Sequence, residues 1–286
     1  MNDIFEYTFS ASDLKMIEKR PEVSNKYTFG KILFVCGSKG MAGAAYLSAL
    51  SAYRMGAGLC ELFIPEENRV ILQTLLPEAV VTCYTGADTD LLEERMKRCD
   101  AVVIGCGLGK SADSLALVRT VLRVSEVPTV VDADALNLIS EHPVLKKYLS
   151  GKVITPHFAE MARLLGKKVS EIEVSPKKVC AEFAAETGAV CVLKGRNTVV
   201  SDGSERIYVN NSGNSALAKA GSGDLLSGMI AALAARRDAP LPLLDSSTLG
   251  VYIHGLAGEL AAKKYGEFSP VARDVADSIS EIMKSI

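Results

Sequence analysis

The chain has 286 residues, 48% of them hydrophobic, which is enough apolar material for a sizeable core without disulfide staples. Lysine and arginine total 32 against 34 aspartates and glutamates, a formal net charge of −2. That balance argues against a nucleic-acid-binding surface, which needs a broad basic field.

The N-terminal stretch MNDIFEYTFSASD is polar and acidic. It lacks the basic and apolar regions of a signal peptide. No apolar run reaches bilayer length, and Arg54 interrupts the longest candidate. These features predict a soluble cytoplasmic protein. Seven cysteines are scattered without a C-x-x-C pair, several in strand-like runs, and read as small core residues in a reducing compartment.

From residue 31 onward, short β-branched runs alternate with helical patterns. Strands are predicted at 31–36, 59–64, 79–84, 101–105, 128–132, 152–156, 189–194 and 198–202. Helices are predicted at 44–57, 114–125 and 160–166, and in the last third at about 224–235 and 246–264. The alternation implies an α/β fold, a mainly parallel sheet covered on both faces. Without a linker, repeat or composition break, residues 1–286 read as one domain. Residues 1–29 read as an N-terminal arm or short helix.

Ligands of open parallel sheets gather at the carboxyl ends of the strands. There the sequence places GSKGMAGAA (37–45), CGLGKS (106–111), DADALN (132–137), PHFAE (156–160), KGRNT (194–198) and NNSGNSALAKAGSGD (210–224). GCGLGKS is not a P-loop, because three residues rather than four separate Gly105 and Gly109. In KAGSGDLLSG, the glycines Gly221 and Gly223 open a helix whose free amides suit an anion. Asp224, beside them, is either a helix cap or a carboxylate serving phosphoryl chemistry.

His157 and Glu160 sit three apart and would face one way at the rim. They read as a cap with a packed histidine, or as substrate and magnesium contacts, with Glu160 acting through water. Strand alternation puts Asp132 and Asp134 on one face, with Ala133 opposite. That pair suits magnesium, a substrate hydroxyl, or a turn and cap. His254 lies on a mostly apolar helix and reads as packed; His142 reads as incidental.

Together these stretches resemble the ribokinase-like superfamily and, within it, the ADP/ATP-dependent NAD(P)H-hydrate dehydratases, over roughly residues 28–280. NNSGNSALAKAGSGD is the most discriminating; GSGD alone points only to the superfamily. The resemblance implies a three-layer αβα sandwich and a nicotinamide-nucleotide repair enzyme. Such an enzyme phosphorylates the ring hydroxyl of hydrated NADH or NADPH with ADP or ATP, then eliminates phosphate. It implies Asp224 as catalytic acid–base residue, and Ala44, Gly107, His157 and Asp224 as contacts of the hydrated coenzyme. It further implies Lys194, Gly195, Arg196, Asn197, Thr198 and Gly223 at the nucleotide, the amides of Gly221, Ser222 and Gly223 at the phosphate, and Glu160 at Mg2+.

Met41 replaces a frequent aromatic of the family, and Ala159 a frequent glycine, which bears on the shape of the coenzyme pocket. Many members carry an epimerase domain; twenty-nine leading residues are too few for one, so a separate epimerase is expected. A homotetramer is also implied. The nearest rival is a hydroxyethylthiazole- or pyrimidine-type kinase of the same superfamily. A nucleotide-sensing module is a more distant one, which the presence of Asp224 disfavours.

Overall fold

The computed structural model describes residues 5–286. Its strands are β1 (Phe5–Tyr7), β2 (Lys31–Val35), β3 (Leu59–Pro65), β4 (Val80–Tyr84), β5 (Ala101–Ile104), β6 (Thr129–Val131), β7 (Val153–Ile154), β8 (Val190–Leu193), β9 (Val199–Ser201) and β10 (Arg206–Val209). They form one sheet in the order β1-β10-β9-β8-β7-β6-β5-β2-β3-β4. Among the described strands only β9 runs against the rest, antiparallel to both β8 and β10. The helices are α1 (Ala42–Arg54), α2 (Arg69–Leu75), α3 (Thr89–Met96), α4 (Ala112–Val124), α5 (Asp134–Glu141), α6 (Phe158–Leu165), α7 (Val169–Val174), α8 (Pro176–Thr187), α9 (Ser222–Ala234), α10 (Leu243–Tyr265) and α11 (Ala272–Met283).

The sheet is covered on both faces because its strands are apolar on both faces. Ile32, Phe34, Val103, Val130 and Val192 pack with α1, α9, α10 and α11. Their neighbours Leu33, Val35, Val102, Val131 and Leu193 pack with α3 to α8 on the other side. The period-2 alternation of side chains thus feeds two cores, and the three-layer sandwich follows. Each fully buried Leu, Ile or Phe contributes roughly 1.5–3 kcal/mol.

The chain steps one way from β2 through β3 to β4, then the other way from β5 through β6 and β7 to β8. The reversal falls between the adjacent strands β2 and β5, whose following loops are GSKGMAG and GCGLG. They lean on each other: Gly37 N donates to Cys106 O at 2.8 Å, and Ser38 Oγ to Gly107 O at 2.9 Å. A crevice at such a reversal is where open α/β sheets bind ligands.

Two features extend the sequence reading. The N-terminal arm supplies an edge strand, β1, parallel to β10; residues 1–4 lie outside the described residues. The last third holds a further helix, α11, whose apolar positions 275, 276, 279 and 282 repeat at helical spacing.

Candidate active site

The residue that caps helix α9 is Gly221, whose φ of 89° admits no ordinary side chain without strain. Ser51 Oγ donates to Leu225 O at 2.8 Å, tying the first turn to α1. At Gly228 the two helices nearly touch, since a Cβ there would lie 1.9 Å from Ser48 O. This close crossing fixes where the helix mouth points. The amides of Gly223 and Asp224 have no acceptor among the described residues, as expected for a first turn.

Asp224 is the third residue of α9. Among the described residues no backbone amide donates to its carboxylate, so it does not act as a cap. It faces Asp132 and the Cys106 thiol, the three ligand atoms lying within 4.8 Å of one another. Burial pushes its carboxyl up to about 6, and the Asp132 charge adds to this, while Cys106 and Lys194 oppose it.

Asp132 is fully buried and completely partnered. Its Oδ1 accepts from Lys194 Nζ at 2.8 Å and from Ala133 N at 2.8 Å; its Oδ2 accepts from Ser227 Oγ at 2.7 Å. Burial alone would raise this carboxyl, but Lys194 and the hydroxyl donors overcome it and hold it low. Burial likewise disfavours the Lys194 ammonium, yet Asp132 and Glu160 outweigh it and hold its pKa up. The pair is charged on both sides.

The expected placement of Asp132 and Asp134 on one extended face does not occur. The strand stops at Val131, and Ala133 takes φ 48° and ψ −116°, a costly conformation for a residue with a Cβ. The bend separates the two acids' partners. Asp132 turns to Lys194, whereas Asp134 Oδ2 accepts from Gly109 N at 2.8 Å and anchors the GCGLG loop. Gly105 permits this, because a Cβ there would meet Asp132 O at 1.9 Å.

His157 caps α6. Its Nδ1 accepts from Ala159 N at 3.1 Å and Glu160 N at 3.2 Å, while Glu160 Oε2 accepts from His157 N at 2.8 Å. The capping half of that reading is realised, but the His157 ring is exposed rather than packed. Burial and the Lys194 charge lower the imidazole's pKa. A neutral ring accepting at Nδ1 leaves a proton for Nε2, which lies 3.4 Å from Glu160 Oε1. Glu160 is buried, which raises its carboxyl, and Lys194 offsets part of that rise.

The remaining candidates lie around this centre. Lys194 pairs with His157 as a continuation of the sheet. Gly195 and Thr198 close the KGRNT turn, with Gly195 N donating to Thr198 Oγ1 at 3.3 Å. Arg196 and Asn197 are exposed at its tip. A Cβ on Gly223 would lie 3.2 Å from Lys194 Nζ, so the turn and the helix mouth are adjacent. On the other side Gly107 (φ 61°) sits against Ala44, where a Cβ would come within 2.7 Å of the alanine methyl.

Three participants lay outside the sequence reading of the site. Cys106 is a buried core residue, as expected, but its thiol also borders the acids. Ser227 was not singled out, although it follows Asp224 by one helical turn. His254, read as packed, is partly buried with Nε2 3.1 Å from Ser222 Oγ, and burial and Lys194 push its pKa down to about 4.

The three-layer sheet with this strand order defines a ribokinase-like α/β protein. A Bacillus subtilis ADP/ATP-dependent NAD(P)H-hydrate dehydratase, co-crystallised with ATP/Mg2+, superposes with a TM-score of 0.82 at 27% identity, covering 100% of this chain and 99% of that one. The NAD(P)H-hydrate dehydratase family model matches residues 32–281, and the chain belongs to that family. It is 34% identical over 282 residues to the ADP-dependent (S)-NAD(P)H-hydrate dehydratase of Neisseria meningitidis serogroup B, covering 94% of this chain and 92% of that protein. The bifunctional NAD(P)H-hydrate repair enzyme Nnr of Moorella thermoacetica is 36% identical over 94% of this chain but only 52% of its own length. The chain thus spans about half the length of several curated relatives it matches.

Proposed function

We propose that this protein converts the S form of hydrated NADH or NADPH back to the reduced coenzyme, using ADP or ATP. Hydroxide is a poor leaving group and phosphate a good one. The ring hydroxyl oxygen attacks the terminal phosphorus, the bond from that phosphorus to the departing AMP or ADP breaks, and Asp224 takes the hydroxyl proton. Phosphate then leaves with a proton from the neighbouring ring carbon, and the double bond is restored.

The observation that supports this best is the position of Asp224. It is a half-buried carboxylate at a glycine-opened helix mouth, between the KGRNT turn on the β8 side and the Gly107–Ala44 contact on the β2–β5 side. In-line transfer needs the attacking hydroxyl and the departing nucleotide on opposite sides of the phosphorus, with a base beside the hydroxyl. Ala44, Gly107 and His157 hold the hydrated coenzyme at Asp224. Residues Lys194 to Thr198 with Gly223 hold the nucleotide. Because the Lys194 ammonium is bound to Asp132, its backbone is the part left for the nucleotide. The amides of Gly221 and Gly223 meet the negative charge that develops on the phosphate, whereas that of Ser222 already donates to Lys219 O at 3.3 Å.

Mg2+ suits these residues. Asp132, Asp224 and Glu160 outnumber the single Lys194 ammonium in the buried cluster, and carboxylate oxygens are the donors Mg2+ prefers. Glu160 would hold it through water, which leaves Asp224 free to take the hydroxyl proton. Bound there, it neutralises charge on the polyphosphate.

No helix among the described residues is long and apolar enough to cross a membrane. A cytoplasmic homotetramer completes the proposal. Size-exclusion chromatography with light scattering tests the assembly. The reaction is tested by supplying hydrated NADH with ADP. Dehydration releases inorganic phosphate and restores the absorbance of the reduced nicotinamide, whereas a small-molecule kinase of the same fold accumulates a phosphorylated product.

A further inference from the structure

Beyond the loops after β2, β3, β4 and β5 the rim opens into a cleft of about 510 Å3 that none of the site residues above lines. Its walls include Lys39, Glu67, Tyr84, Leu108, Asp113 and Ser114. It adjoins the candidate active site through two residues. Ser38, on its wall, donates to Gly107 O at 2.9 Å, and Gly107 follows Cys106, whose thiol borders Asp224.

The chemistry of the walls is mixed in a particular way. The Tyr84 ring is held flat against Phe63, centroids 4.8 Å apart and planes at 21°, a rigid aromatic surface. Burial raises the Tyr84 hydroxyl's pKa, as do the nearby charges of Asp113 and Glu67, which places both acids around that ring. The Arg69 guanidinium beside the cleft is already bound to Glu66 at 2.7 Å.

A second, independent observation comes from α1. Gly43, in the first turn of α1, has an ordinary helical φ, and a Cβ there would meet nothing within 4 Å. Neither backbone conformation nor packing calls for glycine, which a helix tolerates less well than alanine. Open space over a helix N-terminus next to Lys39 is what a ligand's pyrophosphate requires.

We propose that the cleft binds the adenosine half of the hydrated coenzyme, in the form whose ribose carries no 2′-phosphate. The pyrophosphate crosses the first turn of α1 at Gly43 and Lys39. The adenine lies against Tyr84, and the ribose hydroxyls face Glu67 and Asp113. Carboxylates at that position accept hydroxyl protons and repel a phosphate. This inference rests on the dehydratase reading and names the distal part of its substrate.

The test compares three substrates with ADP as donor: hydrated NADH, hydrated NADPH, and the reduced, hydrated nicotinamide mononucleotide, which lacks the adenosine half. Wild type should use hydrated NADH with kcat/KM about a hundredfold above the mononucleotide, and about tenfold above hydrated NADPH. Tyr84→Ala should shrink the first ratio by about tenfold. Glu67→Lys, on an exposed side chain with little effect on folding, should abolish or invert the second ratio. Gly43→Ala should weaken both dinucleotides more than the mononucleotide.

Equal use of mononucleotide and dinucleotide by wild type would overturn the proposal. So would a wild-type preference for hydrated NADPH, or ratios unmoved in all three variants. Failure of wild type to turn over any of the three would instead overturn the dehydratase reading, and the cleft assignment with it.

Discussion

Lys194 Nζ lies 2.8 Å from Asp132 Oδ1, joining the end of β8 to the end of β6 beneath the mouth of α9. One ammonium thereby serves three carboxylates: Asp132 directly, and Asp224 and Glu160 through its field. Asp132 is held charged, and its charge helps to hold Asp224 near neutrality. A general base works best with a pKa near the working pH, and this arrangement moves an aspartate in that direction.

Removing the base should therefore remove turnover and little else. Asp224→Asn keeps size and polarity and should lower kcat by about 10²–10⁴-fold. Nucleotide affinity, followed by calorimetry with ADP, should change by less than about threefold, because the KGRNT turn is untouched.

The pH dependence has a definite sign. Asp224 titrates at about 6, so the proton-accepting form is lost as pH falls through that value. The wild-type kcat/KM profile should show an acid limb near there. Asp132→Asn removes a negative neighbour and releases the Lys194 charge, both of which lower the Asp224 pKa. The acid limb should then move to lower pH, even as the maximal rate falls. An unmoved limb would place the titrating group elsewhere.

Stability should report the same groups. The Asp224 carboxyl rises from 3.8 to about 6 on folding, so the native state binds the extra proton and stability falls as pH rises through that window. The His254 ring drops from 6.5 to about 4, so the unfolded state binds the extra proton and stability falls as pH drops through nearly the same window. Each effect amounts to roughly 3 kcal/mol, and in the wild type they oppose each other. Urea unfolding at about pH 7 and about pH 4.5 should find Asp224→Asn more acid-sensitive than wild type, and His254→Gln less so.

Two glycines of α9 should behave differently when changed to alanine. Gly228→Ala drives a methyl into Ser48 O and should destabilise the fold by about 1–3 kcal/mol or more, lowering Tm. Gly223→Ala meets only the far end of the Lys194 side chain and Asp132 Oδ2, at 3.2 and 3.8 Å. Its Tm should stay near wild type while activity with ADP falls, since the methyl occupies the space over the helix mouth. Thermal unfolding and steady-state kinetics on both variants separate the two effects.

The sheet was legible in the sequence because its strands are buried on both faces, and continuous β-branched runs such as KILFV and AVVI announce that environment. The helix mouth was legible because glycine, glycine and aspartate stand in front of an apolar helical pattern. The Asp132–Lys194 pair was not, since 62 residues separate its members and only the strand order β6-β7-β8 brings them together. The differing roles of Asp132 and Asp134 were hidden by the positive φ of Ala133, which no alternation rule anticipates. The short strands β1 and β10 escaped because they are only three and four residues long, at the edge of the sheet and next to it.

The most direct measurement is a stoichiometric one. Purified protein is given the S form of hydrated NADH and ADP, and restored NADH, AMP and inorganic phosphate are counted together. The account predicts one of each per turnover, with all three lost in Asp224→Asn. A phosphorylated dinucleotide that persists with no return of NADH, or NADH restored without cleavage of ADP or ATP, would contradict it.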